Sequence, residues 1–509
     1  MSVPIGGALP LEDVVAVARG EAAVELPAEA AERMRVARAV VEAKVAADET
    51  VYGVTTGFGS LSMVHVSPED AARLQERIVR SHAASVGEPL SVEETRAMLL
   101  LRAHVLALGY SGVRVELVER MVDMLNRGIV PVVPQQGSLG ASGDLALLAR
   151  LALPLIGAGE IWDEGRRSPA PAVLNEFGLE PLTLAAKEGL ALVNGTQGML
   201  AVGILGAQRA TNLLCCADIS AAMTTEAVLG TDRPFDERLQ RLRPHRGQGT
   251  SAANLRRLMA GSGIVASHRA SHHLVQDAYS LRCAPQVHGA ARDILAYARG
   301  VLEVEAGSVS DNPVVFAETG EVLSGGNFHG QPVAVAMDAL AASVVSVAGI
   351  SERRLFRLLD SSANNGLPAF LVTDSGLNSG FMLAQYTAAS LVSESKSLAH
   401  PASVDSIPSS AGQEDYVSMG MTSARHARDC VANAEVVVAL EVLCAAQALD
   451  LRDPLEPGEG SRAARDAVRV VVPFLTEDRE LGPDIDAVTE LVRDGSLTAA
   501  VEAAIGALD

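Results

Sequence analysis

The residues Gly137-Ser138-Leu139-Gly140-Ala141-Ser142-Gly143-Asp144 contain one tripeptide, Ala141-Ser142-Gly143, whose own main chain can become an electrophile. Attack of the Gly143 amide nitrogen on the Ala141 carbonyl carbon closes a ring, with loss of one water from that carbonyl and a second from the Ser142 side chain. Gly143 has no side chain in the way of its nitrogen and tolerates the positive φ that a tight closure requires. Ala141 is small enough to let the loop fold on itself. Ser142 carries the β-hydroxyl whose elimination leaves an exocyclic methylidene, an acceptor for an amine. Ala-Ser-Gly also occurs as a plain polar turn ahead of a helix, so the tripeptide alone decides little. Here glycines recur at 137, 140 and 143, between an extended, proline-bounded run at 129–134 and an apolar helical run at 145–153, which pins the loop at both ends.

Other segments carry side chains suited to handling a small polar molecule. Tyr52-Gly53-Val54-Thr55-Thr56-Gly57-Phe58-Gly59 lacks the Gly-Lys-Ser/Thr of a phosphate loop and the spacing of a dinucleotide fingerprint. It is either a loop that presents Tyr52 to a pocket or an ordinary surface turn. Arg80-Ser81-His82 ends an amphipathic helix with an imidazole beside small residues. Asn194-Gly195-Thr196-Gln197 sets two amides in an apolar run, and buried amides need partners, either backbone groups or a ligand. On a helix, Tyr279 lies one turn from Gln276 and from Arg282, and Arg282 offers the planar fork that clamps a carboxylate. The other reading of that face is a solvated one with an ion pair to Asp277. A further glycine-rich turn at 324–332 holds Phe328. Glu414 lies in Gln413-Glu414-Asp415, between a turn at 408–410 and a long helix, where carboxylates commonly serve the helix N-terminus. His268, His272 and His273 have helical spacing without the pattern of a metal site, so no metal is expected.

The elements that must position these groups read as helices. The chain has 509 residues, 48% of them hydrophobic and only 3% aromatic, a mixture that favours close-packed helices. Ser67-Pro68-Glu69-Asp70 and the capping box Ser91-Val92-Glu93-Glu94 open helices, the second running to Gly109, and another runs from Val113 to Asn126. Residues 1–200 therefore form an N-terminal helical domain with glycine-rich loops. Residues 201–509 form a long-helix bundle with C-terminal helices, its longest members at 333–359, 380–398 and 422–451. Helices this long suggest a core shared between subunits. Residues 230–265, rich in Arg, Gly and Pro, read as a loop-bearing connection.

A net charge of −21 argues against nucleic acid or an anionic membrane as partner. The charge-free run at 189–208 is too polar for a lipid-facing span and reads as buried helix and loop. Five cysteines without recurrent spacing, and no leader-like N-terminus, predict a cytoplasmic protein with reduced thiols.

Taken together, Gly-Ser-Leu-Gly-Ala-Ser-Gly-Asp, Tyr-Gly-Val-Thr-Thr-Gly-Phe-Gly, Asn-Gly-Thr-Gln, Tyr-Ser-Leu-Arg-Cys, Asp311-Asn312-Pro313, Gly-Asn-Phe-His-Gly and Gln-Glu-Asp resemble the aromatic amino acid lyases, in order across residues 50–450. The resemblance implies a mainly α fold, a homotetramer whose sites combine motifs from different subunits, and a 4-methylidene-imidazol-5-one built from Ala141, Ser142 and Gly143 with no external cofactor. It implies Tyr52 as base or proton shuttle and Tyr279 as a second phenol. A free tyrosine titrates at about 10, so either phenol needs its anion stabilised. It further implies Asn194 and Gln276 holding substrate and the electrophile's oxygen, Arg282 on the substrate carboxylate, and Phe328 packed on the prosthetic ring. His82 and Glu414 then face the substrate side chain. A carboxylate suits an imidazole, whereas a phenyl ring would leave it buried and unpaired, so the expected reaction is elimination of ammonia from L-histidine to trans-urocanate. The alternatives are a phenylalanine or tyrosine ammonia-lyase, or a 2,3-aminomutase, of the same family. Tyr416 stands where the histidine-acting relatives often carry histidine.

Overall fold

A computed structural model describes residues 2–57, 66–140, 142–271 and 275–509. The protein is mainly α, with strands confined to short two- and three-stranded pieces. The chain folds as two compact units, each assembled from three separate stretches: Met1–Leu205 with Arg299–Asp338 and Pro401–Arg425, and Gly206–Ala298 with Ala339–His400 and His426–Asp509. Two later segments thus return to the first unit, which no single boundary near residue 200 describes.

In the first unit, local signals set the helix ends. Ser67 accepts the Asp70 N–H at the start of the helix Pro68–His82. Ser91 and Glu94 exchange both bonds of a capping box ahead of Val92–Ala107. That helix is buried from Ala97 to Ala107 and packs against Leu11–Ala18 and Val115–Asn126. Pro68–His82 packs against Leu145–Ala152 and the short helix Glu188–Val193. The extended run ahead of the glycine loop pairs antiparallel, Val86 opposite Gln136 and Val130 opposite Trp162.

The second unit holds most of the long helices. Gln331–Leu359, Met382–Leu398 and Gly420–Asp450 lie within two residues of where alanine-rich periodicity puts them, and Ala284–Ala306 is a further long helix. Residues 230–265 depart from the expected connection and form the helices Glu237–Leu242, Arg246–Leu258 and Gly263–Ser267. Asp236 and Ser262 cap two of them, and burial of Leu255, Leu258 and Ile264 outweighs the poor propensity of the glycines. The run at 189–208 is a helix, a break at 194–196 and the start of Gln197–Ala227. Gln197–Ala227 and Gln331–Leu359 are long and apolar enough to cross a membrane, but 78% and 56% of their apolar windows are buried within the protein, as core helices require.

Candidate active site

In the first unit, a cavity of about 750 Å³ is lined by Tyr52, His82, Ser142, Asn194, Phe328 and Glu414, together with Arg77, Asn312, His329, Asp415 and Tyr416. Residues far apart in sequence are brought to it by short, well-pinned loops. A more open depression in the second unit, among Asp232, Asp236, Arg238 and Arg269, matches its charges internally, Arg238 with Asp236 and Arg269 with Asp232, and offers no comparable chemistry.

The glycine loop is held from several sides. Gly137, Gly140 and Gly143 all have positive φ. The Gly140 carbonyl accepts the Ser418 hydroxyl at 3.2 Å, and the Met419 N–H reaches the Leu139 carbonyl at 2.9 Å. Gly143 forms a parallel bridge to Gly195: the Gly195 N–H donates to Ser142 O at 3.2 Å, and the Asp144 N–H to Gly195 O at 2.7 Å. Ala141 lies outside the described residues. The surroundings of Ser142 and Gly143 fit the ring. Gly143 has φ +74°, and a Cβ there would sit 1.9 Å from Gly195 O, so the position admits only glycine. Ser142 O is the oxygen that remains after closure, and the Gly195 N–H already holds it.

Asp144 is fully buried at the start of Leu145–Ala152, where it accepts the Ser138 hydroxyl at 2.7 Å and the Met199 N–H at 2.8 Å. Burial raises its carboxyl to about 6 against the opposing pull of these donors.

Tyr52 sits in a turn that two threonines close. The Thr55 hydroxyl accepts the Val51 N–H at 2.9 Å and donates to Glu49 O at 2.6 Å, and the Thr56 hydroxyl accepts the Gly53 N–H at 3.1 Å. The buried Gln75 donates to Gly53 O at 3.4 Å and accepts the Leu190 N–H at 3.1 Å, which ties the turn to the helix ending at His82. Phe58 and Gly59 of that cluster lie outside the described residues. His82 Nδ1 lies 2.9 Å from Ile78 O and 3.0 Å from Ser81 Oγ, so the helix end orients the ring.

Asn194 ends Glu188–Val193; its side-chain amide donates to Asn312 O at 3.0 Å, and its main-chain carbonyl accepts Arg102 Nη1 at 2.8 Å. Behind it lie Lys187 and Asp311, both inaccessible and 2.8 Å apart. Burial alone would raise the Asp311 carboxyl, but Lys187 and Arg102 hold it below the usual carboxylate range. Arg102 is buried in the middle of Val92–Ala107; burial lowers its guanidinium to about 10, which leaves it cationic near neutrality.

Glu414 does not serve a helix N-terminus. Its Oε2 accepts the Ser409 hydroxyl at 2.8 Å and its Oε1 the Ser142 hydroxyl at 3.3 Å. Phe328 is half-buried in the cavity wall, and the neighbouring His329 stacks on Tyr416 with ring centres 6.1 Å apart.

Gln276, Tyr279 and Arg282 belong to the second unit and do not line this cavity. The expected single helical face is not formed. Only Tyr279–Arg282 is helical, and Gln276 is exposed ahead of it. Asp277 accepts the Thr231 N–H at 2.9 Å, and its fixed position starts the turn too late for Gln276 to join. Arg282 instead lies 4.7 Å above the Tyr279 ring, with Tyr279 71% exposed. His272 and His273 lie outside the described residues; His268 Nε2 is 2.9 Å from Gly230 O. Sequence reasoning misses Arg77 and Arg102. A lone arginine after Met98-Leu99-Leu100-Leu101 is the available signal for Arg102.

A family model for aromatic amino acid lyases matches residues 9–470. The chain is similar to histidine ammonia-lyase of Gloeobacter violaceus, 55% identical over 99% of this chain and 98% of that one, and of Myxococcus xanthus, 54% identical over 98% of each. Its fold is similar to histidine ammonia-lyase of Trypanosoma cruzi, TM-score 0.92 at 43% identity over 99% and 96% of the two chains. It is likewise similar to tyrosine aminomutase of Streptomyces globisporus, TM-score 0.94 at 40% identity over 99% of each. The chain belongs to the aromatic amino acid lyase family.

Proposed function

We propose that this protein is a carbon–nitrogen lyase that eliminates ammonia from L-histidine to give trans-urocanate. The observation that carries the reading is Glu414 beside Ser142 in a cavity that His82 also lines. Near-full-length similarity to histidine ammonia-lyases supports it. The 4-methylidene-imidazol-5-one formed from Ala141, Ser142 and Gly143 supplies an electrophilic carbon for the substrate amine, and no external cofactor is needed.

The chain's own residues do the rest. Glu414 accepts the imidazole N–H and His82 flanks the ring, so the side chain is oriented before reaction. Tyr52 removes the β-proton, its phenol aimed by the threonine-closed turn. Asn194 holds the substrate from the cavity floor, and Phe328 packs against the prosthetic ring. Gln276, Tyr279 and Arg282 reach the site from neighbouring copies in a homotetramer, Arg282 binding the substrate carboxylate. Gln276 and Tyr279 are exposed on one chain and Arg282 half-buried beside them, a setting that supports supply in trans. The protein works in the cytoplasm; its cysteines are all free thiols, which suits a reducing compartment.

Incubation with L-histidine, L-phenylalanine and L-tyrosine, with product analysis, tests the reading. Urocanate from histidine forming at least a hundredfold faster than cinnamate or coumarate from the other two is expected. A flat trace with histidine, cinnamate or coumarate forming as fast, or a β-amino acid overturns it.

A further inference from the structure

Arg102 lines no part of the cavity, yet it is one peptide away from the electrophile loop. Its Nη1 donates to the Asn194 carbonyl at 2.8 Å. The other end of that same peptide, the Gly195 N–H, donates to Ser142 O at 3.2 Å. A trans peptide is planar and sets its oxygen and hydrogen on opposite sides, so the guanidinium and the Ser142 carbonyl face each other across one conjugated unit. Arg102 is wholly inaccessible, and both of its hydrogen-bond acceptors, Asn194 O and Gln197 Oε1 at 2.8 Å, are neutral. The nearby Asp311 instead accepts Lys187 at 2.8 Å. Asp311 offsets part of the cost of burying this cation through space, but the guanidinium's hydrogen bonds go to neutral carbonyls, and so its field falls on the peptide that grips Ser142.

We propose that Arg102 is a positioning residue for the electrophile: it fixes the peptide joining Asn194 to Gly195 and polarises it, so that the Gly195 N–H draws electron density onto Ser142 O. The inference rests on the ring forming from Ala141, Ser142 and Gly143. During closure the Gly143 nitrogen forms a bond to the Ala141 carbonyl carbon and passes its proton to that carbonyl's oxygen, which then leaves as water with the Ser142 amide hydrogen as the Ala141 carbon and Ser142 nitrogen become doubly bonded. A second water then takes the Ser142 hydroxyl and α-hydrogen. Electron withdrawal onto Ser142 O makes the Gly143 N–H more acidic and so favours the first of these steps. The same withdrawal strengthens the finished acceptor.

Two readouts test it: the two-water mass loss of the peptide spanning residues 137–150, followed in time after synthesis, and kcat at saturating L-histidine. Arg102→Met is expected to slow dehydration at least tenfold and to lower kcat roughly 10²-fold, the scale on which misplacement of reacting groups acts. Arg102→Lys keeps the charge and most of the length and Arg102→Gln keeps only a shorter neutral donor, so this pair decides even where the methionine variant does not fold. Lysine exceeding glutamine at least tenfold in both readouts supports the inference. Matching lysine and glutamine variants, with a dehydrated tripeptide in the unsubstituted chain, overturn it alone. An intact tripeptide in active, unsubstituted protein overturns the ring reading and this inference with it.

Discussion

Ser142 donates its hydroxyl to Glu414 Oε1 at 3.3 Å, across 272 positions of sequence. One strut holds the carboxylate from the far side, the Ser409 hydroxyl at 2.8 Å, while the main chains of Ser409 and Glu414 pair with each other. The group that would choose the substrate side chain therefore lies beside the residue that would carry the electrophile, and the Ser409 strut still holds it once ring closure removes the Ser142 hydroxyl. In a family whose members act on several side chains, that is the relationship from which selectivity can be argued.

Replacing Glu414 by glutamine keeps the shape and removes the charge. A hydrogen bond to a charged group contributes about 1.5–3 kcal/mol, so kcat/KM for histidine should fall roughly 10- to 150-fold. Turnover of phenylalanine, which gains nothing from the carboxylate, should hold or rise. Steady-state kinetics on both substrates check this, and an equal loss on the two would remove Glu414 from substrate choice.

Tyr52→Phe deletes one oxygen from a turn whose other contacts come from Thr55, Thr56 and Gln75. Loss of a positioned proton acceptor costs about 10²–10⁴-fold in kcat. The melting temperature should stay within a few degrees, because the threonine bonds do not involve the phenol. A variant with normal kcat would pass the role of base to another group.

What is legible in the sequence is what local chemistry determines. Ser67, Ser91 and Glu94 announce helix starts through bonds within one turn, and the structure forms them. The glycine at 143 announces a main-chain geometry that only glycine adopts. Helical spacing misplaces Gln276 because its register with Tyr279 competes with Asp277, whose partner Thr231 lies 46 positions away. Residues 230–265 mislead for a similar reason: their glycines disfavour helix locally, and burial against the rest of the unit reverses that. Lys187 gives no signal at all, since its partner Asp311 is 124 positions distant.

Two buried groups in the first unit pull stability in opposite directions over one pH window. Burial raises Asp144 to about 6, so the native state binds a proton that the unfolded chain, titrating near 3.9, has released. Its contribution is therefore lost as pH rises from about 4 to 6, on the order of 3 kcal/mol. Burial lowers His104 to about 4, where it accepts the Gly6 N–H at 3.3 Å. The unfolded chain protonates first there, so this contribution, of similar order, is present above about 6.5 and lost as pH falls towards 4. Denaturant midpoints of Asp144→Asn should drop more steeply than wild type on acidification, and those of His104→Gln less steeply. Parallel curves for all three proteins would contradict both assignments.

Gly143→Ala separates backbone strain from blocked chemistry. Gly128 and Gly143 have nearly the same φ, +70° and +74°, but a Cβ at Gly128 meets nothing within 4 Å, whereas one at Gly143 would lie 1.9 Å from Gly195 O and 2.2 Å from its carbon. Alanine at 128 should cost only the strain of the left-handed region, about 1 kcal/mol, with full activity. At 143 the bridge to Gly195 cannot survive, because the obstacle is main chain and has no rotamer to move. That variant should retain Ser142 unmodified by peptide mass and show no turnover, even where its helices fold with normal circular dichroism. Dehydrated tripeptide in Gly143→Ala would mean that the loop closes without the Gly195 contact, and the geometry assigned to ring formation would be wrong.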